Sequence, residues 1–397
     1  MQLFKSLSQL PRTVWLIGLI SLVNDSASEM LYPLIPLYLS AVLMAGPKAL
    51  GLIEGVAEAT ASLLKLFSGV LMDRTRRAKP WIVVGYGLVG LGRPLIAFVT
   101  SWPWLMLIRF TDRVGKGLRT SPRDALLAAV VGPNRRGLAF GLHRAMDNAG
   151  AVVGPLIAWA LLASEVPLKE IFLWSAVPAA LCVILAMCLK DVPGEQLSES
   201  NRFNWRDHRI SGPMKRYLVV VGLFSLGNAS SMFLLLRAGE LGIAQQDIPL
   251  LWAAVSIIPT LFSTPLAAWS DKIGRVRLLL AGYTAYGAVY VVLAYMGHAS
   301  FWLFALYALY GLFLAATEGV EKALVADLAP PSRQGTAFGW FNMVTGFCLL
   351  PASILFGWLY QDVSASAAFM FSGCCGFGSA ILMLLWWKRF SVSPSLR

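Results

Sequence analysis

Long apolar stretches separated by short polar connections run along this chain from one end to the other. An α-helix needs about 20 apolar residues to cross roughly 30 Å of hydrocarbon. Alternation with a period of two, which is typical of membrane strands, is absent, so helices must satisfy the backbone hydrogen bonds in lipid. The pattern predicts twelve membrane-spanning helices, near residues 14–40, 49–72, 80–100, 102–129, 137–163, 169–190, 215–237, 246–269, 276–297, 300–328, 335–360 and 365–387.

The first apolar stretch follows Lys5 and Arg12, as the core of a secretory signal peptide would. It is longer than such a core, it contains Asp25 and Glu29, and no small-residue cleavage site follows it. We therefore expect this stretch to remain in the protein as the first membrane helix.

Composition and charge agree with a protein of the cytoplasmic (inner) membrane. The chain is 57% hydrophobic and 14% charged, with a mean hydropathy of +0.66, whereas a water-soluble domain carries more charge. Its net charge of +12 would suggest nucleic-acid binding in a soluble protein. Here the basic residues gather in alternate connections, as at 74–79, 202–216 and 272–277. This positive-inside pattern predicts that both termini are cytoplasmic, and we expect no nucleic-acid partner.

Cysteine and histidine give little sign of a metal or redox site. The five cysteines lie in apolar stretches without CxxC spacing, and the three histidines are scattered. We therefore expect neither a metal site nor a cofactor.

An internal repeat divides the chain. GVLMDRTRRAKP at 69–80 matches AAWSDKIGRVRL at 267–278 with an offset of 198 residues, and the same offset places PNRRGLAFG at 133–141 on PSRQGTAFG at 331–339. The repeat predicts an all-α membrane protein of two pseudo-symmetric six-helix bundles, residues 1–190 and 215–397, joined by a cytoplasmic linker at 191–214. Duplicated halves suit transport by alternating access around a site near the middle of the bilayer.

The fourth span contains the charged sequence RFTDRVGKGLRTSPRDA at 109–125. At the repeat offset it aligns with the mostly apolar 307–323, so it is the fourth helix itself and neither a loop nor a phosphate-binding turn. Each charged side chain at the bilayer centre costs about 2.5–3.5 kcal/mol, so these groups must face protein, water or a substrate.

Spacing within that span predicts how its side chains are arranged. Lys116, Arg119 and Arg123 fall three and four residues apart and form one stripe. Gly115 and Gly117 allow a neighbouring helix to approach closely.

The segment GVLMDRTRRAK at 69–79 resembles the loop motif between the second and third helices of the major facilitator superfamily, and the resemblance covers essentially the whole chain. It departs from the family at Arg76, where glycine is usual, while the second copy keeps Gly274 and has Ala267 for its first glycine. The resemblance implies a conformational latch, which we assign to Gly69, Asp73, Arg74, Arg77, Asp271 and Arg275.

GAVVGPLIA at 150–158 resembles the fifth-helix motif that the family's antiporters carry, and it implies a hinge at Gly150, Gly154 and Pro155. An ordinary Gly-Pro kink explains the same residues. The family's fourth-helix arginine motif matches less closely, because Arg109 lies six residues before Gly115 and Arg113 lies four before Gly117. Which arginine takes the family role is open.

Carboxyl groups within spans are candidates for carrying protons, because burial can bring a carboxyl group into the range where it titrates near neutral pH. The proton-coupling candidates are Asp25, Glu29, Glu54, Glu58 and Asp147. The alternative is that each carboxylate only neutralises a cation of the fourth helix. The substrate-binding candidates are Arg109, Asp112, Arg113, Lys116, Arg119, His143, Arg144, Glu318 and Glu321. Arg93, in the third span, has no explanation in this scheme.

These features predict a monomeric secondary transporter in the lipid bilayer that exports a small molecule in exchange for protons, with the proton gradient as its energy source. Proton-coupled symport of an organic or inorganic anion is the alternative that the cationic fourth helix suggests. Export of a divalent metal and a membrane enzyme or sensor without transport are weaker alternatives. An enzyme would need a nucleophile with an adjacent base, and the sequence shows no such arrangement.

Overall fold

The structure is a computed structural model that describes residues 10–75, 77–131, 136–191, 210–298, 301–328 and 334–387. All regular structure within these ranges is helical. The helices are α1 (Arg12–Leu31), α2 (Leu34–Ala41), α3 (Pro47–Thr75), α4 (Lys79–Leu95), α5 (Trp102–Ala129), α6 (Arg136–Ala163), α7 (Leu168–Trp174), α8 (Ala176–Met187), α9 (Gly212–Gly227), α10 (Met232–Glu240), α11 (Ile248–Ile273), α12 (Arg275–Tyr295), α13 (Phe301–Leu328), α14 (Gln334–Trp358) and α15 (Ala365–Leu385). Short 3₁₀ or π turns occupy Ile96–Phe98, Gln245–Asp247 and Leu359–Val363.

The helices form the twelve predicted spans. Ten helical segments of the described chain are long and apolar enough to cross a membrane. The other two spans are α3 and α5, which have 29 and 28 residues but carry more charge than the rest. Three spans are broken into two helices each, at 32–33 in the first, at Ser175 in the sixth and at 228–231 in the seventh.

Contacts between residues divide the chain into two compact units. The first contains residues 1–43 and 60–200, and the second contains residues 44–59 and 201–397. The first half of α3 therefore clusters with the second unit. The predicted bundle boundaries at 190 and 214 remain a prediction, since residues 192–209 of the linker lie outside the described chain.

Glycines bring two pairs of helices in the first unit into backbone contact. A side-chain carbon on Gly150 of α6 would lie 2.6 Å from the backbone oxygen of Leu22 on α1. Likewise, a side-chain carbon on Gly115 of α5 would lie 2.6 Å from the backbone oxygen of Gly85 on α4. The close approach that Gly115 predicted is thus confirmed. Polar side chains beside these contacts are brought together as a result.

The second unit has an aromatic core. Its buried aromatic rings include those of Phe224, Phe233, Tyr283, Tyr286, Tyr290, Tyr307, Tyr310, Phe313, Phe356, Tyr360 and Phe369. The repeat offset pairs Arg109 with Tyr307 and Asp112 with Tyr310. The Tyr307 hydroxyl donates to the backbone oxygen of Leu234, and the Tyr310 hydroxyl shares a hydrogen bond with Ser231 at 2.7 Å. At these repeat-related positions, the second unit therefore has neutral hydroxyl groups where the first unit has charged side chains.

The predicted latch residues are only partly described. Gly69, Asp73 and Arg74 in α3 and Asp271 in α11 lie outside the residues whose surroundings the structure describes, so their latch role stays a prediction. Arg77 is exposed. In the second copy of the motif, Arg275 at the start of α12 forms an ion pair with Asp327 of α13.

The backbone conformation at residue 274 explains why the second copy of the motif has glycine there. Gly274 forms the turn between α11 and α12 with a φ of 99°, a backbone conformation that a residue with a side chain rarely adopts.

Candidate functional site

Two carboxyl groups meet where α1 packs against α6. The side chains of Asp25 and Asp147 face each other closely enough to share a proton, and Gly150 brings the two helices together one turn beyond Asp147. The Arg144 guanidinium lies 3.6 Å from Asp147, and Lys116 and Arg119 act electrostatically on Asp25. The structure thus brings together two of the five predicted proton carriers.

A chain of polar contacts leads from Asp25 to α4 and α5. The Asn24 side-chain amide donates to Oδ1 of Asp25 at 2.7 Å. The Arg93 Nη1 donates to the backbone oxygen of Asn24 at 3.1 Å, and its Nε donates to Oδ1 of Asp112 at 3.2 Å. Arg93 and Asp112 are 6% and 4% exposed, so this is a buried ion pair.

The arginines of α5 are buried to an unusual degree for a membrane span. Arg109, Arg113 and Arg119 are all at most 5% exposed. The guanidinium of Arg119 lies over the ring of Tyr86, 4.2 Å from its centroid, and this contact is possible because Gly85 leaves room for the Arg119 backbone. Arg113 lies 3.9 Å from Asp112. The arginine face of α5 is therefore turned into the first unit, as the cost of charges in lipid requires.

A second cluster of polar side chains lies one helical turn before the carboxyl pair, on both α1 and α6. Ser21 Oγ of α1 and His143 Nε2 of α6 share a buried hydrogen bond of 2.8 Å. Arg123 of α5 donates through Nη1 to Ser21 Oγ at 3.4 Å, and its Nε donates to Asp124 at 3.0 Å. Asp124 therefore neutralises Arg123, its neighbour in α5.

The other predicted carboxyl groups are on α1, α3 and α13. Glu29 is half-buried one turn beyond Asp25 on α1. Glu54 and Glu58 are in the half of α3 that belongs to the second unit, where Glu54 is buried and accepts a hydrogen bond from Ser230 at 3.2 Å. Glu318 and Glu321 are on α13, and Glu321 accepts a hydrogen bond of 2.8 Å from Tyr283.

Sequence reasoning missed Asn24, Ser21 and Tyr86 as members of the site, and it left Arg93 unexplained. A signal for Arg93 was present, because an arginine inside an apolar span requires a partner. Ser21 and Asn24 stand four residues and one residue before Asp25, so their polarity also marked the site. Nothing in the sequence around Tyr86 distinguishes its ring from the packing aromatics of other spans.

Comparisons with known proteins identify relatives over nearly the whole chain. The model of the Major Facilitator Superfamily matches residues 17–236 and 217–395. The uncharacterized MFS-type transporter MJ1317 of Methanocaldococcus jannaschii is 32% identical over 387 residues, which are 95% of either chain. The multidrug resistance protein MdtH of Photorhabdus laumondii is 26% identical over 338 residues, which are 83% of this chain and 82% of MdtH.

Solved structures have the same fold at low sequence identity. A POT family transporter in complex with a thioalcohol-conjugated peptide superposes with a TM-score of 0.79 at 12% identity, covering 96% of this chain and 97% of the transporter. The nucleoside transporter NupG superposes with a TM-score of 0.75 at 12% identity, covering 96% of this chain and all (100%) of NupG.

Proposed function

Because the chain belongs to the major facilitator superfamily of secondary transporters, we propose that it is a proton-coupled antiporter that exports a small molecule, with Asp25 and Asp147 as its proton site. The observation that carries the proposal is the close approach of these two carboxyl groups where Gly150 brings α1 and α6 into contact. The direction of transport is supported by the relatives named multidrug resistance protein.

A hydrogen bond between two carboxyl groups requires a proton, since two carboxylates offer only acceptors and repel each other. The pair is therefore a place where one proton can be held inside the first unit. Lys116, Arg119 and Arg144 surround it with positive charge, which stabilises the pair after the proton has left.

In the proposed exchange, the pair holds either a proton or the substrate. A cationic or hydrogen-bond-donating substrate that reaches Asp147 displaces the proton, and protonation later releases the substrate. The proton and the substrate favour different conformations of the protein only to the extent that each binds one conformation with a more favourable free energy than the other. For a neutral substrate exchanged one for one, a proton that crosses 100 mV of membrane potential supplies about 2.3 kcal/mol, which supports roughly a 50-fold substrate gradient.

The test is to measure protons released by the detergent-purified protein when cationic, anionic and neutral compounds are added in turn. We expect up to one proton per protein to be released by a transported compound, and this release to be lost in Asp25→Asn and in Asp147→Asn. The matched control is Asp327→Asn, which removes a carboxylate that pairs with Arg275 in the second unit. Binding of a transported compound without any proton signal would refute coupling and make the protein a uniporter.

Symport of an anion is the second candidate, and the balance of buried charge favours it. In the described part of the first unit, the charged side chains of Asp, Glu, Lys and Arg that are fully buried are Arg93, Arg109, Asp112, Arg113 and Arg119, four arginines against one aspartate. An anion bound near these arginines would reduce the positive potential at the carboxyl pair and so favour its proton. The same experiment separates the candidates, because anion symport predicts proton uptake on binding and antiport predicts proton release.

A further inference from the structure

Arg93 makes two hydrogen bonds that join two different helices. From α4 it donates through Nε to the Asp112 carboxylate on α5 and through Nη1 to the backbone oxygen of Asn24 on α1. The bond to Asp112 neutralises the buried guanidinium. The bond to Asn24 adds no charge compensation, and its effect is to fix the α1 backbone at this residue.

Asn24 uses its side chain to hold its neighbour in the chain. Its amide donates to Oδ1 of Asp25 at 2.7 Å, and Asn24 itself is 2% exposed. Adjacent positions on a helix do not face each other, so this contact holds only for particular side-chain rotamers of Asn24 and Asp25. Arg93 fixes where the α1 backbone lies at Asn24, and thereby the position from which Asp25 faces Asp147.

We infer that Arg93 and Asn24 are positioning residues of the proton site, Arg93 by fixing α1 at Asn24 and Asn24 by holding the Asp25 carboxyl group in place against Asp147. This inference rests on the proposed function. It gives Arg93 a role in proton coupling that acts through Asn24.

The Asn24 amide also affects when the proton leaves. A hydrogen bond donated to a carboxyl oxygen favours the ionised form, so the amide helps Asp25 release its proton. The other titratable or charged groups near Asp25 on the packed helices are Arg93 of α4, Lys116 and Arg119 of α5, Asp147 of α6 and Cys182 of α8. These remain in place when only the Asn24 amide is removed.

The experiment measures the pH at which substrate-linked proton exchange is half-maximal, together with the thermal midpoint of each variant. Asn24→Leu removes the donor and keeps the branched arrangement of four side-chain heavy atoms, and we expect the half-maximal pH to rise by about one unit because one hydrogen bond to a charged group is lost. Arg93→Lys keeps the positive charge, but its single nitrogen cannot occupy both donor positions. We expect a shift in the same direction with the Asp112 pair retained.

The matched control is Arg237→Lys in the second unit. Arg237 also donates to a carboxylate and to a backbone oxygen, through Nη1 to Glu240 at 3.3 Å and through Nη2 to Met296 at 2.7 Å. We expect this variant to change the thermal midpoint and to leave the half-maximal pH unchanged.

The outcomes separate the inference from the function on which it rests. If the wild-type protein shows no substrate-linked proton exchange at any pH, the proposed proton site is wrong. If the wild type exchanges protons and both Asn24→Leu and Arg93→Lys keep its half-maximal pH, Arg93 and Asn24 have only a structural role and the positioning inference is overturned. Asn24→Leu alone decides the matter if Arg93→Lys does not fold.

Discussion

Substitution of Gly150 by alanine should separate α1 from α6 at the carboxyl pair. The added carbon would lie 2.6 Å from the Leu22 backbone oxygen and 3.0 Å from both Asp25 Cβ and Ser26 N. Ordinary contacts between heavy atoms are about 3.5–4.0 Å, so the helices must move apart by roughly 1 Å. Backbone atoms cannot rotate away as the end of a flexible side chain can. The strain must therefore be relieved by moving the whole helix.

The expected effect has a stability part and a coupling part. Overpacking of this kind costs about 1–3 kcal/mol, and the better helix propensity of alanine offsets at most about 1 kcal/mol of it. A displacement of roughly 1 Å also takes the Asp25 and Asp147 carboxyl groups beyond hydrogen-bond distance. We therefore expect Gly150→Ala to lower the free energy of unfolding and to abolish substrate-linked proton release.

Gly87→Ala is the matched control, since Gly87 is helical in α4 and no described atom lies within 4 Å of the added carbon. It should be neutral or stabilising by up to about 1 kcal/mol. The assay is denaturant unfolding in detergent for the two variants, followed by proton release on addition of substrate. Equal stability of the two variants, with proton release intact in Gly150→Ala, would refute both the close helix contact and its role in holding the pair.

Two further predictions concern other contacts of the structure. Tyr86→Leu removes the ring beneath Arg119, and because that guanidinium is buried we expect a loss of about 2 kcal/mol in the free energy of unfolding, measured by denaturant titration. Arg275→Gln removes a partly exposed ion pair with Asp327, so we expect unfolding to change by less than about 1 kcal/mol. If Arg275 is part of the latch, the flux into liposomes will nevertheless change, and unchanged flux would contradict that role.

The positions of the spans could be predicted from the sequence because bilayer thickness leaves little freedom in helix length. The predicted fourth span at 102–129 coincides with α5, and the predicted fifth at 137–163 differs from α6 by one residue. Gly115 and Gly150 were also informative, because small residues in a membrane helix mark close contacts.

The rotation of the helices and their partners could not be predicted in the same way. A span that is apolar on every side has no periodicity to show which face turns inward, so nothing placed Arg93 of α4 against Asp112 of α5 and Asn24 of α1. Glu54 shows the same limit. Its helix is continuous, yet the half that carries Glu54 clusters with the second unit, and only long-range packing decides this.

The contrast between α5 and α13 bears on how such a protein can change after gene duplication. At repeat-related positions one copy has Arg109 and Asp112, and the other has Tyr307 and Tyr310, whose hydroxyl groups are hydrogen-bonded within their own unit. If the carboxyl pair is the proton site, the residues that couple transport to the proton gradient all belong to the first copy. A chimera that keeps the first half of this chain and takes its second half from a relative would then acquire different ligand contacts without losing its driving force.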